Sequence, residues 1–135
     1  MRELLEQVLA IAKDADRAIM AVYAREFDVT IKEDNSPLTE ADRAAHQVIR
    51  RGLEALSTTL PILSEEDIEG FSGVGKEGRY WLVDPLDGTK EFIKRNDEFT
   101  VNIALIEHGA PILGVVTAPA LGVAYIAADG MGAFR

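Results

Sequence analysis

The sequence contains no cysteine, which excludes disulfide bonds, thiolate metal sites and cysteine nucleophiles. This absence fits a reducing compartment, so we expect a cytoplasmic protein. Long hydrophobic runs are absent as well, because no stretch reaches the roughly 18 apolar residues of a membrane-spanning helix. Residues 1–25 are charged and amphipathic and lack the apolar centre of a signal peptide. We therefore expect no transmembrane segment.

Positive charge is also scarce. The chain has 14 lysines and arginines against 23 aspartates and glutamates, a net charge of −9. This balance argues against nucleic acid or an anionic membrane surface as the main partner, because both attract basic surfaces. It suits a protein that binds divalent cations. With 135 residues, 47% of them hydrophobic, the chain can form one small domain with a real core.

Hydrophobic spacing predicts two helices. Apolar residues three and four positions apart predict the first helix over residues 3–25. A strand at 27–32 and a turn at 34–37 follow. Thr39 and Asp42 then form a capping-box pattern that opens the second helix. The local pattern leaves two roles open for the Asp42 carboxylate, which either only caps this helix or points into a cleft.

A mixed α+β fold is expected from the remaining pattern, with two helices packed on an antiparallel sheet. A short strand at 60–63 precedes one at 80–83, which should end at Asp84-Pro85 because proline cannot donate to a sheet ladder. A helical turn is predicted at 90–94. Short connections then predict an antiparallel meander. Its strands are expected at Phe99–Glu107, Ile112–Ala118 and Val123–Ala128, with the start of another strand at 133–135.

Two features of the sequence are given no chemical role. His46 is interpreted as a surface residue of the second helix and His108 as a turn residue, without the partners of a metal site or a triad. Gly73, Gly75 and Gly78 match G-x-G-x-x-G, but this motif leads into a strand, whereas a dinucleotide-binding loop follows one. We expect a mobile flap at residues 70–78.

Acidic residues follow two of the predicted strands. Glu65 comes directly after the strand at 60–63, and Asp84 and Asp87 flank a turn before the helix at 90–94. Acids at such places are often caps or solvated edges. If Glu65, Asp84, Asp87 and Asp42 converge, they form an all-oxygen site that suits Mg²⁺, Mn²⁺ or Ca²⁺ rather than zinc. A cation would also relieve the repulsion between close carboxylates.

Backbone N–H groups at Gly88 and Thr89 would bind an anion beside these acids. A helix start favours phosphate, and glycine allows close approach of the backbone. Cations next to a phosphate site indicate metal-assisted hydrolysis of a phosphate ester. A threonine hydroxyl and a spare carboxylate could position the attacking water.

Three motifs, in this order along the chain, resemble those of the inositol monophosphatase superfamily of Mg²⁺-dependent, Li⁺-sensitive phosphatases. They are Ser36-Pro37-Leu38-Thr39-Glu40-Ala41-Asp42, Ser64-Glu65-Glu66 and Asp84-Pro85-Leu86-Asp87-Gly88-Thr89. Within the superfamily, Lys90-Glu91-Phe92-Ile93 is most similar to the bacterial 3′(2′),5′-bisphosphate nucleotidases of the CysQ type. The resemblance implies hydrolysis of 3′-phosphoadenosine 5′-phosphate to AMP and phosphate. Alternatives are an inositol- or sugar-phosphate phosphatase, or a non-catalytic metal- or anion-binding fragment.

The resemblance also implies metal ligands. Glu65, Asp84 and the backbone carbonyl of Leu86 would bind the first Mg²⁺, and Asp84 and Asp87 would share the second. Two or three Mg²⁺ ions are implied, with Mn²⁺ as a substitute and Li⁺ as an inhibitor. Glu65, Leu86 and Asp87 would therefore also lie against the substrate.

Catalytic roles are implied for Asp42 and Thr89, which would activate the attacking water beside Glu65. Gly88 and Thr89 would contact the scissile phosphate. Members of the family continue beyond residue 135, with a Trp-Asp motif that completes the second metal site. We therefore expect residues 1–135 to be the N-terminal portion of the layered αβαβα sugar-phosphatase fold. A chain of this extent should have weakened metal affinity, little activity of its own and exposed surfaces that favour self-association. The family type also allows peripheral association with the cytoplasmic side of the inner membrane.

Overall fold

Two helices pack on one face of a six-stranded sheet in the computed structural model, which describes residues 1–32, 37–56, 60–68, 71, 73–74 and 78–135. The first helix, α1, is Arg2–Tyr23, and the second, α2, is Glu40–Glu54. α1 buries a stripe of residues at helical spacing, so the predicted amphipathic helix is confirmed. The stripe consists of Leu5, Val8, Ile11, Ala12, Ala15, Ile19 and Val22.

The strands form two sheets. The six-stranded sheet has the order β3-β4-β5-β6-β7-β8, and β1 and β2 make a separate antiparallel pair. A short helix, α3, Thr89–Lys94, follows β4. The strands are β1 Val29–Ile31, β2 Pro37–Thr39, β3 Ile62–Ser64, β4 Arg79–Asp87, β5 Thr100–Glu107, β6 Ala110–Ala118, β7 Val123–Ala128 and β8 Gly132–Phe134.

The predicted antiparallel meander is confirmed for β5, β6 and β7, and β8 is the further strand expected near residue 133. The structure adds one parallel edge strand, because β3 pairs parallel with β4. In that register Ser64 lies opposite Val83, and the Glu65 N–H donates to the Val83 carbonyl at 3.1 Å. The end of β3 therefore lies beside Val83, which places Glu65 next to the last residues of β4.

The prediction that the strand ends at Asp84-Pro85 was wrong. β4 continues to Asp87, but its register against β5 shifts between the pair Asp84–Asn102 and the pair Asp87–Thr100. Pro85 lies inside this irregularity, where a residue without an N–H group costs no regular ladder bond. The bulge is therefore what allows the strand to pass through the proline.

An aromatic cluster anchors α3 to the end of α1. The ring of Phe92 lies 5.1 Å from that of Tyr23, 4.8 Å from that of Phe27 and 5.1 Å from that of Phe99. Phe92 and Phe99 are both fully buried. This packing fixes the turn that precedes α3.

Some predictions fall on residues outside the described ranges. The turn at 34–37 does so almost entirely, and the flap at 70–78 does so in part, including Gly75. Within the described ranges, no helix combines the length and the apolar character that crossing a membrane requires.

Candidate active site

One open cleft of about 340 Å³ lies where β3 and β4 end. It collects every predicted site residue except Asp42, which lies behind Thr89 and is 1% exposed. The cleft is lined by Lys32, Glu65, Glu66, Asp84, Leu86, Asp87, Gly88, Thr89, Lys90 and Glu91. The topology thus brings together residues from three segments of the chain, and the most distant of them, Lys32 and Glu91, are 59 positions apart.

Asp42 caps α2 and, rather than pointing into the cleft, also accepts a hydrogen bond from a residue of the cleft wall. Its Oδ2 accepts hydrogen bonds from the Thr39 backbone N–H at 2.8 Å and from the Thr39 hydroxyl at 2.6 Å, within the capping box of α2. Its Oδ1 accepts a hydrogen bond from the Thr89 hydroxyl at 2.9 Å. One carboxylate therefore caps a helix with one oxygen and holds a cleft residue with the other.

This arrangement fixes the direction of the Thr89 hydroxyl. The Leu86 carbonyl is a second acceptor at 3.4 Å, but the shorter bond goes to Asp42. Since Thr89 has one hydroxyl proton, its oxygen lone pairs stay available to accept a proton from a molecule in the cleft. Thr89 can therefore relay a proton towards Asp42.

Negative charge is concentrated at Asp84. Burial raises the pKa of the Asp84 carboxyl to about 6, and the nearby charges of Asp87, Glu65 and Glu66 add to this effect. Burial also raises the pKa of Glu66, with Asp42 as the next cause, while Lys32 lowers it. The Lys32 Nζ lies 3.9 Å from the Glu66 Oε1 and contributes one compensating positive charge. Positive charge therefore compensates only part of the negative charge of the cleft carboxylates.

The side chains of the described residues do not form a ready metal cluster, since no three His, Cys, Asp or Glu groups among them are close enough to hold an ion. The donor set nevertheless fits a hard cation, because it consists of carboxylates and the Leu86 carbonyl. The raised pKa of Asp84 is a second sign of fit, because a cation would favour the ionised form. The shared cleft is thus chemically suited to a divalent cation.

Asn102 is a cleft-edge residue that the sequence analysis missed. Its Oδ1 accepts from the Thr100 hydroxyl at 3.1 Å, so its Nδ2 is directed to Asp87 Oδ2, also at 3.1 Å. Asn102 pairs with Asp84 across the sheet. The alternation of β5 could have shown this, because a polar residue stands between the buried Val101 and Ile103.

Gly88 forms the N-cap of α3 with a left-handed backbone, at φ 94°. A Cβ atom there would lie 3.0 Å from the Glu98 carbonyl oxygen. Both the conformation and the close approach therefore require glycine. The first N–H groups of α3 follow directly, and a helix start leaves such groups without intrahelical partners. Gly88 and Thr89 are thus placed at the cleft as an anion site would require.

The interpretation of His46 as a surface residue was wrong. Its side chain is buried, and its Nδ1 lies 3.0 Å from the Ser64 Oγ. Burial lowers the pKa of His46. The error arose because the contact with Ser64 joins residues 18 positions apart, which the helical pattern alone does not show.

The comparisons with known proteins agree with this architecture. Residues 1–135 match the inositol monophosphatase family, and the chain belongs to that family. It is 60% identical over 129 residues to the 3′(2′),5′-bisphosphate nucleotidase CysQ of Escherichia coli K12, a match that covers 94% of this chain and 52% of the relative. The chain therefore spans about half the length of the curated relatives it matches.

Solved structures show the same fold. The CysQ of Bacteroides thetaiotaomicron is 39% identical with a TM-score of 0.77, covering 98% of this chain and 48% of that one. The suhB protein of Bartonella henselae is 28% identical with a TM-score of 0.86, covering 98% and 51%. These matches confirm the predicted α+β fold.

Proposed function

We propose that residues 1–135 are the N-terminal metal- and phosphate-binding portion of a Mg²⁺-dependent phosphatase. Its proposed substrate is 3′-phosphoadenosine 5′-phosphate, hydrolysed at the 3′-phosphate to AMP and phosphate. The contact that carries this proposal is the hydrogen bond from Thr89 to Asp42 at the wall of an acidic cleft. The identity of 60% to a bisphosphate nucleotidase supports this substrate.

The proposed ligands of the divalent cations are Glu65, Asp84, the Leu86 carbonyl and Asp87. Mg²⁺ is proposed as the native ion, with Mn²⁺ as a substitute and Li⁺ as an inhibitor. Bound cations would supply Lewis-acid chemistry, lowering the pKa of water and neutralising charge on the phosphate and the leaving oxygen.

The chain's own residues would orient the substrate and move one proton. N–H groups of Gly88 and Thr89 would bind the phosphate oxygens. Water would attack phosphorus as the bond to the 3′-oxygen breaks, and the leaving 3′-oxygen would take a proton from the solvent, which the proton released by the attacking water replaces. The attacking water would give its own proton to the Thr89 oxygen, while the Thr89 hydroxyl proton moves to Asp42. Asp42 is suited to this role because Thr39 holds it rigidly.

A non-catalytic metal- or anion-binding module is the second candidate. It is favoured by the carboxylates and the start of α3 that line the cleft, because these groups would bind a cation or an anion without turnover as well. An inositol-phosphate substrate is a third, supported by the fold likeness to suhB. We further propose a cytoplasmic location and, for this chain alone, self-association through the open sheet face, where Leu82, Val116 and Tyr125 are exposed.

Phosphate release by the 135-residue chain tests the proposal. In keeping with the little activity expected of this chain, we expect slow Mg²⁺-dependent, Li⁺-inhibited release from 3′-phosphoadenosine 5′-phosphate. This release should be lost in Asp84→Asn and unchanged in Glu26→Gln, which removes an exposed charge outside the cleft. Preferential release from inositol 1-phosphate would favour the third candidate. Mn²⁺ binding without turnover would favour the module. The absence of both Mn²⁺ binding and turnover would contradict the proposal.

A further inference from the structure

The buried pair of His46 and Ser64 has no role in the chemistry proposed above. His46 lies one helical turn after Asp42 on α2, and 9% of it is exposed. Ser64 is the last residue of β3 and is 2% exposed. The His46 Nδ1 and the Ser64 Oγ are 3.0 Å apart. A buried polar contact between two elements that frame the cleft calls for a physical reason, because each group loses its hydration.

Ser64 fixes the turn that carries the acids of β3. Its hydroxyl oxygen accepts from the Glu66 N–H at 3.3 Å, and its carbonyl accepts from the Asp67 N–H at 3.0 Å. Glu65 and Glu66, the two residues between, both line the cleft. The orientation of one serine therefore determines where two carboxylates of the cleft are presented.

His46 sets that orientation. A hydroxyl can donate once while it accepts, so Ser64 can donate to the His46 Nδ1 and still accept from Glu66. Among the described residues, His46 Nδ1 is the acceptor within reach of this hydroxyl. This direction of the bond requires the neutral tautomer of His46, with its proton on Nε2. The lowered pKa of His46, which burial causes, agrees with a neutral ring.

We propose that His46 is a positioning residue, whose Nδ1 holds the Ser64 hydroxyl and thereby fixes the 64–67 turn that presents Glu65 and Glu66 to the cleft. The effect of this positioning on cation binding rests on the function proposed above. The positioning itself is independent of that function, because it can be measured without any cation.

The first test uses the full chain in metal-free buffer. His46→Leu removes the acceptor, whereas His46→Asn places an amide oxygen where Nδ1 was. Amide hydrogen exchange at Glu66 and Asp67 should become roughly tenfold faster in His46→Leu, the scale of one buried hydrogen bond, and should return to within about twofold in His46→Asn. Nitrogen NMR of the wild-type ring should report the Nε2-protonated tautomer.

Thr117→Val is the matched control. It removes another buried hydrogen bond, from the Thr117 hydroxyl to Asp16 Oδ1 at 2.6 Å, in a groove on a different part of the fold. It should lower global stability without accelerating exchange at Glu66. Ser64→Ala should accelerate amide exchange at Glu66 and Asp67 as much as His46→Leu does. The double variant should accelerate this exchange no further. If His46→Leu does not fold, His46→Phe, which keeps an aromatic ring and removes the acceptor, carries the same test.

The second test measures Mn²⁺ affinity by electron paramagnetic resonance. Loss of a residue that orients a metal ligand typically weakens binding about 10- to 100-fold. We expect a weakening in this range for His46→Leu and recovery in His46→Asn. A wild-type chain that does not bind Mn²⁺ would count against the proposed function alone, since exchange still decides the positioning role. Unchanged exchange at Glu66 and Asp67 in both His46→Leu and Ser64→Ala would overturn the inference.

Discussion

The replacement Asp84→Asn should stabilise the cation-free protein at neutral pH. Asp84 is half-buried and lies near Asp87, Glu65 and Glu66, so its ionised form is disfavoured in the folded state. Asparagine keeps the size and an acceptor oxygen but removes the charge. A residue that destabilises the fold while it serves a site is a common trade-off in enzymes.

The magnitude follows from the pKa of Asp84, which rises from an ordinary 3.8 to about 6 in the folded chain. At about 1.4 kcal/mol for each pH unit this is about 3 kcal/mol, and solvent screening of a half-exposed group reduces it to roughly 1–2 kcal/mol. Because the folded pKa is the higher one, the stability from protonated Asp84 is fully present below about pH 4 and lost as the pH rises through about 6.

Urea denaturation at pH 4 and pH 8, with a metal chelator, measures this effect. Asp84→Asn should gain roughly 1–2 kcal/mol at pH 8 relative to pH 4, while Glu26→Gln should change by less than about 0.5 kcal/mol at both. Adding Mg²⁺ should stabilise the wild type and not the variant, because a ligand stabilises only the state that binds it. A loss of stability in Asp84→Asn at pH 8 without cations would refute the reasoning.

Three further predictions concern the frame around Asp84. Thr89→Val should lower phosphatase activity about 100-fold, on the scale of general-base catalysis, and Thr89→Ser should retain most of it, as measured by phosphate release at saturating Mg²⁺. Gly88→Ala should cost about 1–2 kcal/mol in urea denaturation because of its positive φ and the 3.0 Å approach to the Glu98 carbonyl. Thr39→Ala should lower the free energy of unfolding by about 1 kcal/mol through loss of the N-cap. A Thr39→Ala variant that keeps its full helical circular dichroism signal at the thermal unfolding midpoint of the wild type would contradict this.

The helices, the meander and the approach of the acids could all be predicted from local patterns. Apolar spacing specified α1, and short connections specified the antiparallel strands. The prediction at Pro85 was wrong because proline cannot make a regular ladder bond but can be accommodated in a bulge. Pairing with β5 stabilises this bulge. Its existence depends on a partner strand that is not adjacent in sequence, since the bulge lies between the pair Asp84–Asn102, 18 positions apart, and the pair Asp87–Thr100, 13 positions apart.

The role of Asp42 was ambiguous for a different reason. The capping box is a local pattern and was confirmed, whereas the bond to Thr89 joins residues 47 positions apart. Sequence spacing cannot show that the second oxygen of a capping carboxylate accepts a hydrogen bond from a distant residue. Asn102 was missed because its contact with Asp87 forms only when β4 and β5 align, and Ser64 was missed because its contact with His46 joins a strand to a helix.

The polar face of α2 explains why these distant residues meet. Asp42, His46 and Arg50 follow one another at four-residue spacing, so they lie along one face of the helix. Asp42 binds Thr89 at the start of α3, and His46 contacts Ser64 at the end of β3. The Arg50 Nη1 lies 3.6 Å from an oxygen of Asp67.

These three contacts differ in what they can do for the site. The pair of Arg50 and Asp67 is substantially exposed, so it contributes little to stability. The contact of His46 with Ser64 is buried and that of Asp42 with Thr89 is partly buried. A hydrogen bond removed from water restricts geometry, because leaving it unmade is costly. α2 therefore sets the distance between the turn bearing Glu65 and the start of α3. Any ligand that bridges the Glu65 carboxylate and Thr89 is bound to a frame that this one helix determines, so changes on α2 should alter ligand geometry even where they touch no ligand.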